Sequence, residues 1–180
     1  MPGIDETRPF FPVRIAVMTV SDTRTPDTDR SGDTLAQRIG GAGHVLAGRT
    51  IVTDDFQQIR RQLLRWISDP EIDVVISTGG TGLTGRDVTP EAFKSVYEKE
   101  IEGFAAVFHA ISYGKIGVST IQSRATAGVA HGTYLFALPG SPGACKDGWD
   151  EILRFQLDYR FQPCNFVEIM PRLEEHRRGQ

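Results

Sequence analysis

The chain has 180 residues, of which 39% are hydrophobic and 24% charged, and this composition fits one globular domain with its own core. The formal net charge of −3 argues against general nucleic-acid binding, which normally requires a basic surplus. No apolar run approaches the roughly 20 residues of a membrane span, and the N-terminus lacks the pattern of a signal peptide. We therefore expect a cytoplasmic protein with neither a nucleic-acid nor a membrane partner.

Strands and helices alternate in the predicted order of elements. Prolines at three early positions predict an irregular arm over residues 1–12. Apolar runs predict strands over residues 13–20, 45–53, 72–77 and 133–138. Helical spacing and stop signals predict helices over residues 31–39, 56–67, from 89 onward, and from 142 to 159.

This alternation is typical of an α/β fold with a doubly wound, mostly parallel sheet and helices on both faces. We expect a single domain over residues 13–170, followed by a charged, frayed tail over residues 171–180. Residues 111–132 are rich in small side chains, and their weak periodicity gives no clear element.

Four polar segments directly follow predicted strands. In open parallel sheets, ligands bind beyond the carboxyl ends of the strands. Each segment is rich in Gly, Ser, Thr or Asp, and together they predict one site at that edge of the sheet. The four segments are residues 21–23, 54–55, 78–87 and 139–143.

The glycine-rich loop is the main candidate for anion binding. Gly79, Gly80 and Gly82 permit positive φ angles and a close approach to a ligand, and Thr78 and Thr81 add hydroxyl groups. The alternative is a tight connection that only turns the chain, and the loop alone does not decide between the two. Its pattern matches neither the Walker phosphate loop nor the dinucleotide fingerprint.

Asp87 favours the binding role. A carboxylate beside a phosphate cradle would repel the ligand unless a cation lies between them, and Mg²⁺ suits this position. Asp54 or Asp55 is the candidate for a second carboxylate, although Asp55 is better explained as the cap of the following helix. Thr89 is expected to cap the helix after the loop, which leaves Asp87 free for function.

A second anion-binding segment is predicted at Gly140 and Ser141. Ser141 can cap the next helix with Pro142 in its first turn, while the exposed N–H groups of that turn face an anion. Capping and anion binding are compatible at one helix terminus. The segment therefore extends the site without requiring a different ligand.

The remaining reactive side chains carry weaker signals. The four histidines lack ligand spacing, so no zinc or iron site is predicted. Cys145 and Cys164 are expected to be unreactive thiols, with a disulfide as the alternative. Three arginines are candidates for gripping phosphate, although each one alone is better explained as a solvated side chain: Arg24, Arg86 and Arg124.

Four motifs together resemble those of the molybdenum cofactor biosynthesis family. They are TVSDTR (19–24), STGGTGLTGRDVTPEA (77–92), STIQSRATAGV (119–129) and ALPGSPGAC (137–145). The resemblance extends over residues 13–170, and the ending PCNF (163–166) resembles the protein B branch of this family.

The resemblance implies a Mg²⁺-dependent reaction in which ATP adenylylates the terminal phosphate of molybdopterin and releases pyrophosphate. It also implies self-association into a trimer or hexamer, and transient contact with other enzymes of the same pathway. Two aspartates would carry catalysis and hold the metal: Asp54 and Asp87. The substrate would be bound by Ser21, Asp22, Thr78, Gly79, Gly80, Thr81, Gly82, Gly140 and Ser141.

Two other hypotheses remain open at this point. The chain could bind or carry molybdopterin without catalysing a reaction. It could also be another enzyme built on this fold, such as one that inserts molybdate or processes nucleotides, although the resemblance implies longer chains for those proteins.

Overall fold

The computed structural model describes residues 1–177, and its centre is a six-stranded sheet. The six strands of this sheet are β2 (Arg14–Val20), β3 (Val45–Val52), β4 (Val74–Thr78), β5 (Lys99–Glu100), β6 (Thr126–Ala130) and β7 (Thr133–Leu138). Two further strands, β1 (Gly3–Ile4) and β8 (Phe161–Gln162), pair with each other. The α-helices are α1 (Arg30–Gly41), α2 (Phe56–Ile67), α3 (Thr89–Lys94), α4 (Glu102–Ile116), α5 (Pro142–Gly148), α6 (Arg154–Gln156) and α7 (Phe166–Ile169).

The sheet has the strand order β3-β2-β4-β7-β6-β5. β3, β2, β4 and β7 are parallel, whereas β6 runs antiparallel to both β7 and β5. Alternate side chains of β2 point to opposite faces of the sheet, so Ile15 and Val17 enter one core while Ala16 and Met18 enter the other. The first core packs against α1, α4 and α5, and the second against α2 and α3. The prediction of a mostly parallel, doubly wound α/β sheet is confirmed.

Residues 111–132, where periodicity is weak, contain the end of α4, a 3₁₀ helix (Gly117–Gln122) and β6. Phe104 and Phe108 of α4 are buried, but Val107 and Ile116 are exposed. The helix therefore carries apolar side chains on its solvent side as well, which hides the amphipathic pattern that usually reveals a helix. The predicted last helix is also less regular than expected, because a π turn (Trp149–Leu153) joins α5 to α6.

The prediction of an irregular N-terminal arm is wrong for its first residues. β1 pairs with β8 in a small antiparallel ladder, and the Asp5 N–H extends it by donating to the Arg160 carbonyl at 2.9 Å. Residues 3–8 lie between Pro2 and Pro9 and keep their backbone N–H groups, so they can form this ladder. The guanidinium of Arg8 stacks over the Tyr159 ring, 3.9 Å from its centroid, so the arm packs on the C-terminal segment of its own chain.

The predicted charged tail is more ordered than expected as far as residue 177. Short 3₁₀ turns cover Met170–Arg172 and Glu175–Arg177, and Arg177 pairs with Glu98 next to β5. The last part of that prediction, residues 178–180, lies outside the described residues. Within residues 1–177, no helix is both long enough and apolar enough to span a bilayer.

Candidate functional site

Loops from four parallel strands meet at the carboxyl edge of the sheet, as the sequence predicts. A cleft of about 370 Å³ at this edge is lined by five of the predicted residues: Gly80, Thr81, Gly82, Asp87 and Gly140. A smaller cavity of about 60 Å³ adjoins it through Gly140 and includes Ser21, Thr78 and Gly79. The larger cleft falls within the size range of small-molecule sites.

The glycine-rich loop has a backbone that other residues cannot easily adopt. Gly79 and Gly80 have φ angles of 101° and 67°. A Cβ atom at Gly79 would also overlap the carbonyl oxygen of Val20. The loop therefore needs glycine at these positions for both conformation and space.

Three consecutive N–H groups of this loop have no acceptor. Among residues 1–177, the N–H groups of Gly80, Thr81 and Gly82 donate no hydrogen bond, and all three residues line the cleft. The N–H of Gly79 is different, because it donates to the Leu138 carbonyl at 3.0 Å. Unpaired backbone donors around a concavity are typical of anion-binding sites.

Two threonines hold the loop in place instead of facing a ligand. The hydroxyl of Thr78 donates to the Pro139 carbonyl at 2.9 Å and accepts from the buried thiol of Cys145. The hydroxyl of Thr89 donates to the Gly79 carbonyl at 2.9 Å. The expected cap role of Thr89 is wrong, since α3 begins after Val88 without a side-chain cap. The expected role of Thr78 as a hydroxyl donor to the ligand is also wrong, because its proton is already used within the protein.

Asp54 and Asp87 both lie against the glycine-rich loop. A Cβ atom at Gly80 would come within 2.8 Å of Asp54 Oδ1, and one at Gly82 within 2.7 Å of Asp87 Oδ2. The Thr84 N–H and hydroxyl donate to Asp87 Oδ2 at 2.9 and 2.6 Å, which fixes that carboxylate. The two acids therefore converge on one segment of backbone.

The electrostatics of Asp54 differ from those of its neighbours. Burial raises its pKa, and the negative charges of Asp22 and Asp87 raise it further. Asp55, in contrast, accepts a hydrogen bond from the Gln58 N–H at 2.9 Å and caps α2, as the sequence predicts. Asp54 is thus the acid of this pair that faces the loop.

Ser21 and Asp22 lie in the turn after β2, and Ser21 lines the smaller cavity. Asp22 Oδ1 accepts from the Asp54 N–H at 3.0 Å, and Oδ2 accepts from Arg86 Nη2 at 2.7 Å. The hydrogen bond from Arg86 lowers the pKa of Asp22, so this carboxylate is ionised. Ser21 Oγ accepts from the N–H groups of Thr23 and Arg24, which fixes the turn after β2.

Arg124 is a structural brace of the site. Its Nε donates to the Gly82 carbonyl at 2.8 Å, its Nη2 donates to the Asp87 carbonyl at 2.9 Å, and its Nη1 pairs with Glu91. The sequence makes Arg124 a candidate for gripping phosphate, with a solvated side chain as the favoured interpretation, but these contacts turn its guanidinium toward the protein backbone and Glu91. Among the arginine candidates, Arg86 is tied to Asp22, and Arg24 lines the smaller cavity.

The second predicted anion-binding segment lies against the first. Ser141 caps α5 by accepting from the Ala144 N–H at 3.0 Å, which confirms its predicted cap. A Cβ atom at Gly140 would come within 3.1 Å of the Gly79 Cα, so the two loops pack backbone against backbone. Ser141 follows Gly140, which lines the cleft.

Sequence reasoning missed three lining residues of the larger cleft: Ser119, Gln122 and Ser123. They belong to the 3₁₀ helix and the residue after it, where no periodic pattern marks a site. Two signals could have found them: the polar side chains of STIQS (119–123), and the membership of this segment in the motif STIQSRATAGV (119–129).

The two cysteines and the other potential metal ligands are arranged as follows. Within residues 1–177, no cluster of three or more His, Cys, Asp or Glu side chains forms a complete metal site. Cys145 and Cys164 are not joined, and burial raises the pKa of the Cys145 thiol to about 11. A thiolate nucleophile at Cys145 is therefore disfavoured.

Comparison with known proteins identifies the family. Residues 16–159 match the family model described as "Probable molybdopterin binding domain". The chain is 46% identical over 157 residues to molybdenum cofactor biosynthesis protein B of Escherichia coli K12, covering 87% of this chain and 92% of that protein. It is 43% identical over 142 residues to the protein of the same name from Bacillus subtilis, covering 78% and 84%.

Solved structures give the same result. A crystal structure of a molybdenum cofactor biosynthesis protein B superposes with a TM-score of 0.83 at 36% identity, covering 92% of this chain and 98% of that one. The tungsten cofactor synthesizing protein of Pyrococcus furiosus superposes with a TM-score of 0.71 at 35% identity, covering 79% and 91%. The chain therefore belongs to the molybdenum cofactor biosynthesis protein family, and residues 16–159 are its molybdopterin-binding domain.

Proposed function

We propose that this chain adenylylates the terminal phosphate of molybdopterin with ATP in a Mg²⁺-dependent reaction that releases pyrophosphate. One observation carries the proposal. The three unpaired N–H groups belong to Gly80, Thr81 and Gly82, which line a cleft together with Asp87, and the carboxylate of Asp54 lies against Gly80. Backbone donors suit a phosphate, and flanking carboxylates suit the cation that must accompany two phosphorylated substrates.

In this reaction a phosphate oxygen of molybdopterin attacks the α-phosphorus of ATP. A new P–O bond forms, the bond from the α-phosphorus to the bridging oxygen breaks, and its electron pair leaves with pyrophosphate. The attacking phosphate is already anionic and needs no general base. The residues that line the cleft include no histidine or lysine, which is consistent with this mechanism. The protein's main task is to hold two anions in line.

The residues present fit a magnesium ion. Asp54 and Asp87 would hold it, because Mg²⁺ commonly takes one or two carboxylates and completes its shell with water and substrate phosphates. Burial, followed by the charges of Asp22 and Asp87, raises the pKa of Asp54, and a bound cation would favour its ionised form. When bound, Mg²⁺ neutralises phosphate charge and acts as a Lewis acid.

The glycine-rich loop and the residues next to it would bind the substrate phosphate. Gly80, Thr81 and Gly82 offer backbone donors, and Gly140 and Ser141 bring the first turn of α5 beside them. Ser21, Asp22, Thr78 and Gly79 contribute by shaping the loops around the cleft.

Self-association into a trimer or hexamer belongs to the same proposal. Large apolar side chains of α4 and the 3₁₀ helix are exposed, among them Tyr113 at 60%, Val118 at 70% and Ile121 at 77%. An exposed apolar surface of this kind is typical of a protein interface. Transient contact with other enzymes of molybdenum cofactor synthesis remains part of the proposal without a surface assigned to it.

The test combines wild-type protein with ATP, Mg²⁺ and molybdopterin and measures pyrophosphate release and AMP transfer. Asp87→Asn is expected to reduce turnover about 100-fold or more while it changes molybdopterin affinity little, because the carboxylate acts on the transition state. Asp55→Asn is the matched control, since the Asp55 side chain caps α2 and asparagine also caps a helix. Tight molybdopterin binding without pyrophosphate release would instead support a non-catalytic carrier of molybdopterin.

A further inference from the structure

Both ring nitrogens of His109, which lies on α4, face a backbone carbonyl. Nδ1 is 2.8 Å from the Ala105 carbonyl oxygen, and Nε2 is 2.9 Å from the Ser123 carbonyl oxygen. A carbonyl oxygen only accepts, so each contact is a hydrogen bond only where the ring nitrogen carries a proton. The Ala105 carbonyl also accepts a backbone N–H within the helix, whereas the Ser123 carbonyl has no other donor among residues 1–177. The Ser123 carbonyl therefore depends on His109 for its hydrogen bond.

The peptide unit between Ser123 and Arg124 connects His109 to the glycine-rich loop. Its carbonyl faces His109, and its N–H, which belongs to Arg124, donates to the Thr81 carbonyl at 3.0 Å. That carbonyl belongs to the peptide unit whose N–H is the N–H of Gly82, one of the three unpaired donors of the loop. Both peptide units are trans, so the carbonyl and the N–H of each point in opposite directions. A hydrogen-bond relay of two peptide units thus runs from the His109 ring to the Gly82 N–H.

This hydrogen-bond relay strengthens its last donor. A peptide unit whose carbonyl accepts a hydrogen bond is polarised, and the cooperative gain is about 10–30% per bond in condensed phases. A proton on His109 Nε2 therefore makes the Gly82 N–H a better donor to an anion. The coupling is reciprocal, because an anion at Gly82 strengthens the bond from His109 by the same free energy.

The same peptide unit also sets the position of the Arg124 side chain. Nε of Arg124 donates to the Gly82 carbonyl at 2.8 Å, and its Nη2 donates to the Asp87 carbonyl at 2.9 Å. Two points of the loop backbone are therefore held by the residue that follows the carbonyl bonded to His109. His109 is not among the residues that line the cleft, so it acts on a ligand only through these contacts.

We propose that His109 is a positioning residue for phosphate binding by the glycine-rich loop. Its Nε2–H holds the Ser123 carbonyl, and the hydrogen-bond relay transmits this support to the Gly82 N–H, which donates to the substrate phosphate. The inference rests on the proposed function, because it requires that the unpaired N–H groups of the loop bind that phosphate. It makes a side chain of α4, outside the cleft, one of the groups that determine the affinity of the site.

The experiment measures equilibrium binding of molybdopterin to the full chain at pH 7 under anaerobic conditions, together with unfolding by urea. His109→Leu removes the donor and is expected to weaken binding about fivefold, the net size of one hydrogen bond. His109→Gln places an N–H at a similar distance from the backbone and is expected to recover most of the affinity. Tyr134→Phe is the matched control, because it removes another side-chain bond to a carbonyl, that of Phe166, and should change stability alone.

A second measurement uses the wild-type protein and stays informative even if His109→Leu disturbs folding. Addition of molybdopterin should move the Arg124 amide proton downfield in NMR spectra and shift the Nε2 signal of His109, which lies outside the cleft. Both changes are expected because a new bond at the Gly82 N–H strengthens the bonds that precede it in the hydrogen-bond relay. A His109 signal that does not respond to bound molybdopterin would overturn the inference.

The outcomes separate this inference from the proposed function. If His109→Leu binds molybdopterin as tightly as the wild type, or if His109→Gln does not recover a lost affinity, the positioning role is overturned and the proposed function stands. If the wild type binds molybdopterin but releases no pyrophosphate with ATP and Mg²⁺, adenylylation fails, and the measured affinities still decide the role of His109. If the wild type binds no molybdopterin, the proposed function and this inference fail together.

Discussion

The backbone N–H of Asp54 donates a hydrogen bond to the carboxylate of Asp22 at 3.0 Å, which holds two acidic residues side by side. Arg86 neutralises Asp22. Within residues 1–177, Asp54 forms no ion pair, and its side chain is partly withdrawn from water. The site therefore carries unbalanced negative charge, which is unfavourable for folding but suits a cation.

Asp54→Asn should stabilise the protein in the absence of metal. The amide removes the burial penalty and the repulsion from Asp22 and Asp87 that raise the pKa of Asp54. Because the side chain is partly solvated, we expect a gain of only about 0.5 kcal/mol at pH 7, measured by urea denaturation.

The pH dependence follows from the direction of that shift. The folded pKa of Asp54 exceeds the unfolded value of about 3.9, so the wild type loses stability relative to the variant as the pH rises through this window. Below the unfolded pKa, Asp54 is protonated in both states and the difference disappears. A variant that is less stable than the wild type at pH 7 would mean that the Asp54 charge is favourably paired.

Gly79→Ala should destabilise the fold severely. The added Cβ would overlap the Val20 carbonyl oxygen, and the φ angle of 101° is strained for alanine. Neither β2 nor β4 can move to make room, because both are central strands of the sheet. We expect a loss of about 3 kcal/mol or more in the free energy of unfolding.

Gly40→Ala provides the contrast for this measurement. Gly40 lies near the end of α1, and a Cβ atom there would meet nothing within 4 Å. Alanine should stabilise the helix by about 0.5 kcal/mol at this position. Similar losses for both substitutions would show that the overlap at Gly79 is relieved by local movement.

The parts of the site that sequence predicts are those governed by local rules or by the general topology of parallel sheets. Asp55 and Ser141 cap their helices because each precedes a helical segment and has a suitable side chain. Asp54 and Asp87 come together because both follow strands of the same sheet, whose carboxyl ends share one edge.

The parts that sequence does not predict depend on partners that are distant in the chain. Thr89 has the sequence of a helix cap, but its hydroxyl donates to the Gly79 carbonyl, which only the folded loop brings near. Two contacts position Ser123. Its carbonyl lies beside the ring of His109 on α4, and the N–H of the next residue, Arg124, donates to the glycine-rich loop. The exposed apolar side chains of α4 obscure the amphipathic pattern of this helix in the sequence, so its contact with Ser123 could not be predicted.

The exposed apolar surface of α4 and the 3₁₀ helix should mediate self-association. Val118→Glu combined with Ile121→Glu places two charges on it, and both side chains are exposed, so the fold of each subunit should persist. We expect the wild type to have the mass of a trimer or hexamer by light scattering, and the double variant a lower mass. Lys115→Glu is not a suitable control, because Lys115 pairs with Asp147; Arg65→Glu on the exposed side of α2 is preferable.

Asp29→Ala should cost about 3 kcal/mol of stability, because several hydrogen-bond donors would lose their acceptor within the protein. Asp29 is 1% exposed and accepts from the Thr19 hydroxyl at 2.7 Å, the Gly32 N–H at 2.9 Å and Arg49 Nη2 at 2.9 Å. Burial alone would raise the pKa of Asp29, but these hydrogen bonds outweigh it and lower the pKa. Its contribution is therefore complete above the unfolded pKa of about 3.9 and is lost as the pH falls through the folded pKa.

Asp55→Ala is the matched comparison, since Asp55 also caps a helix but lacks a buried ion pair. Loss of that cap should cost about 1 kcal/mol. Urea denaturation at pH 7 and pH 3 would measure both variants, and the deficit of Asp29→Ala should shrink at the lower pH. If Asp29→Ala lost no more unfolding free energy than Asp55→Ala at pH 7, Asp29 would act only as a helix cap. Its bond to Arg49 would then add nothing to the packing of α1 against β2 and β3.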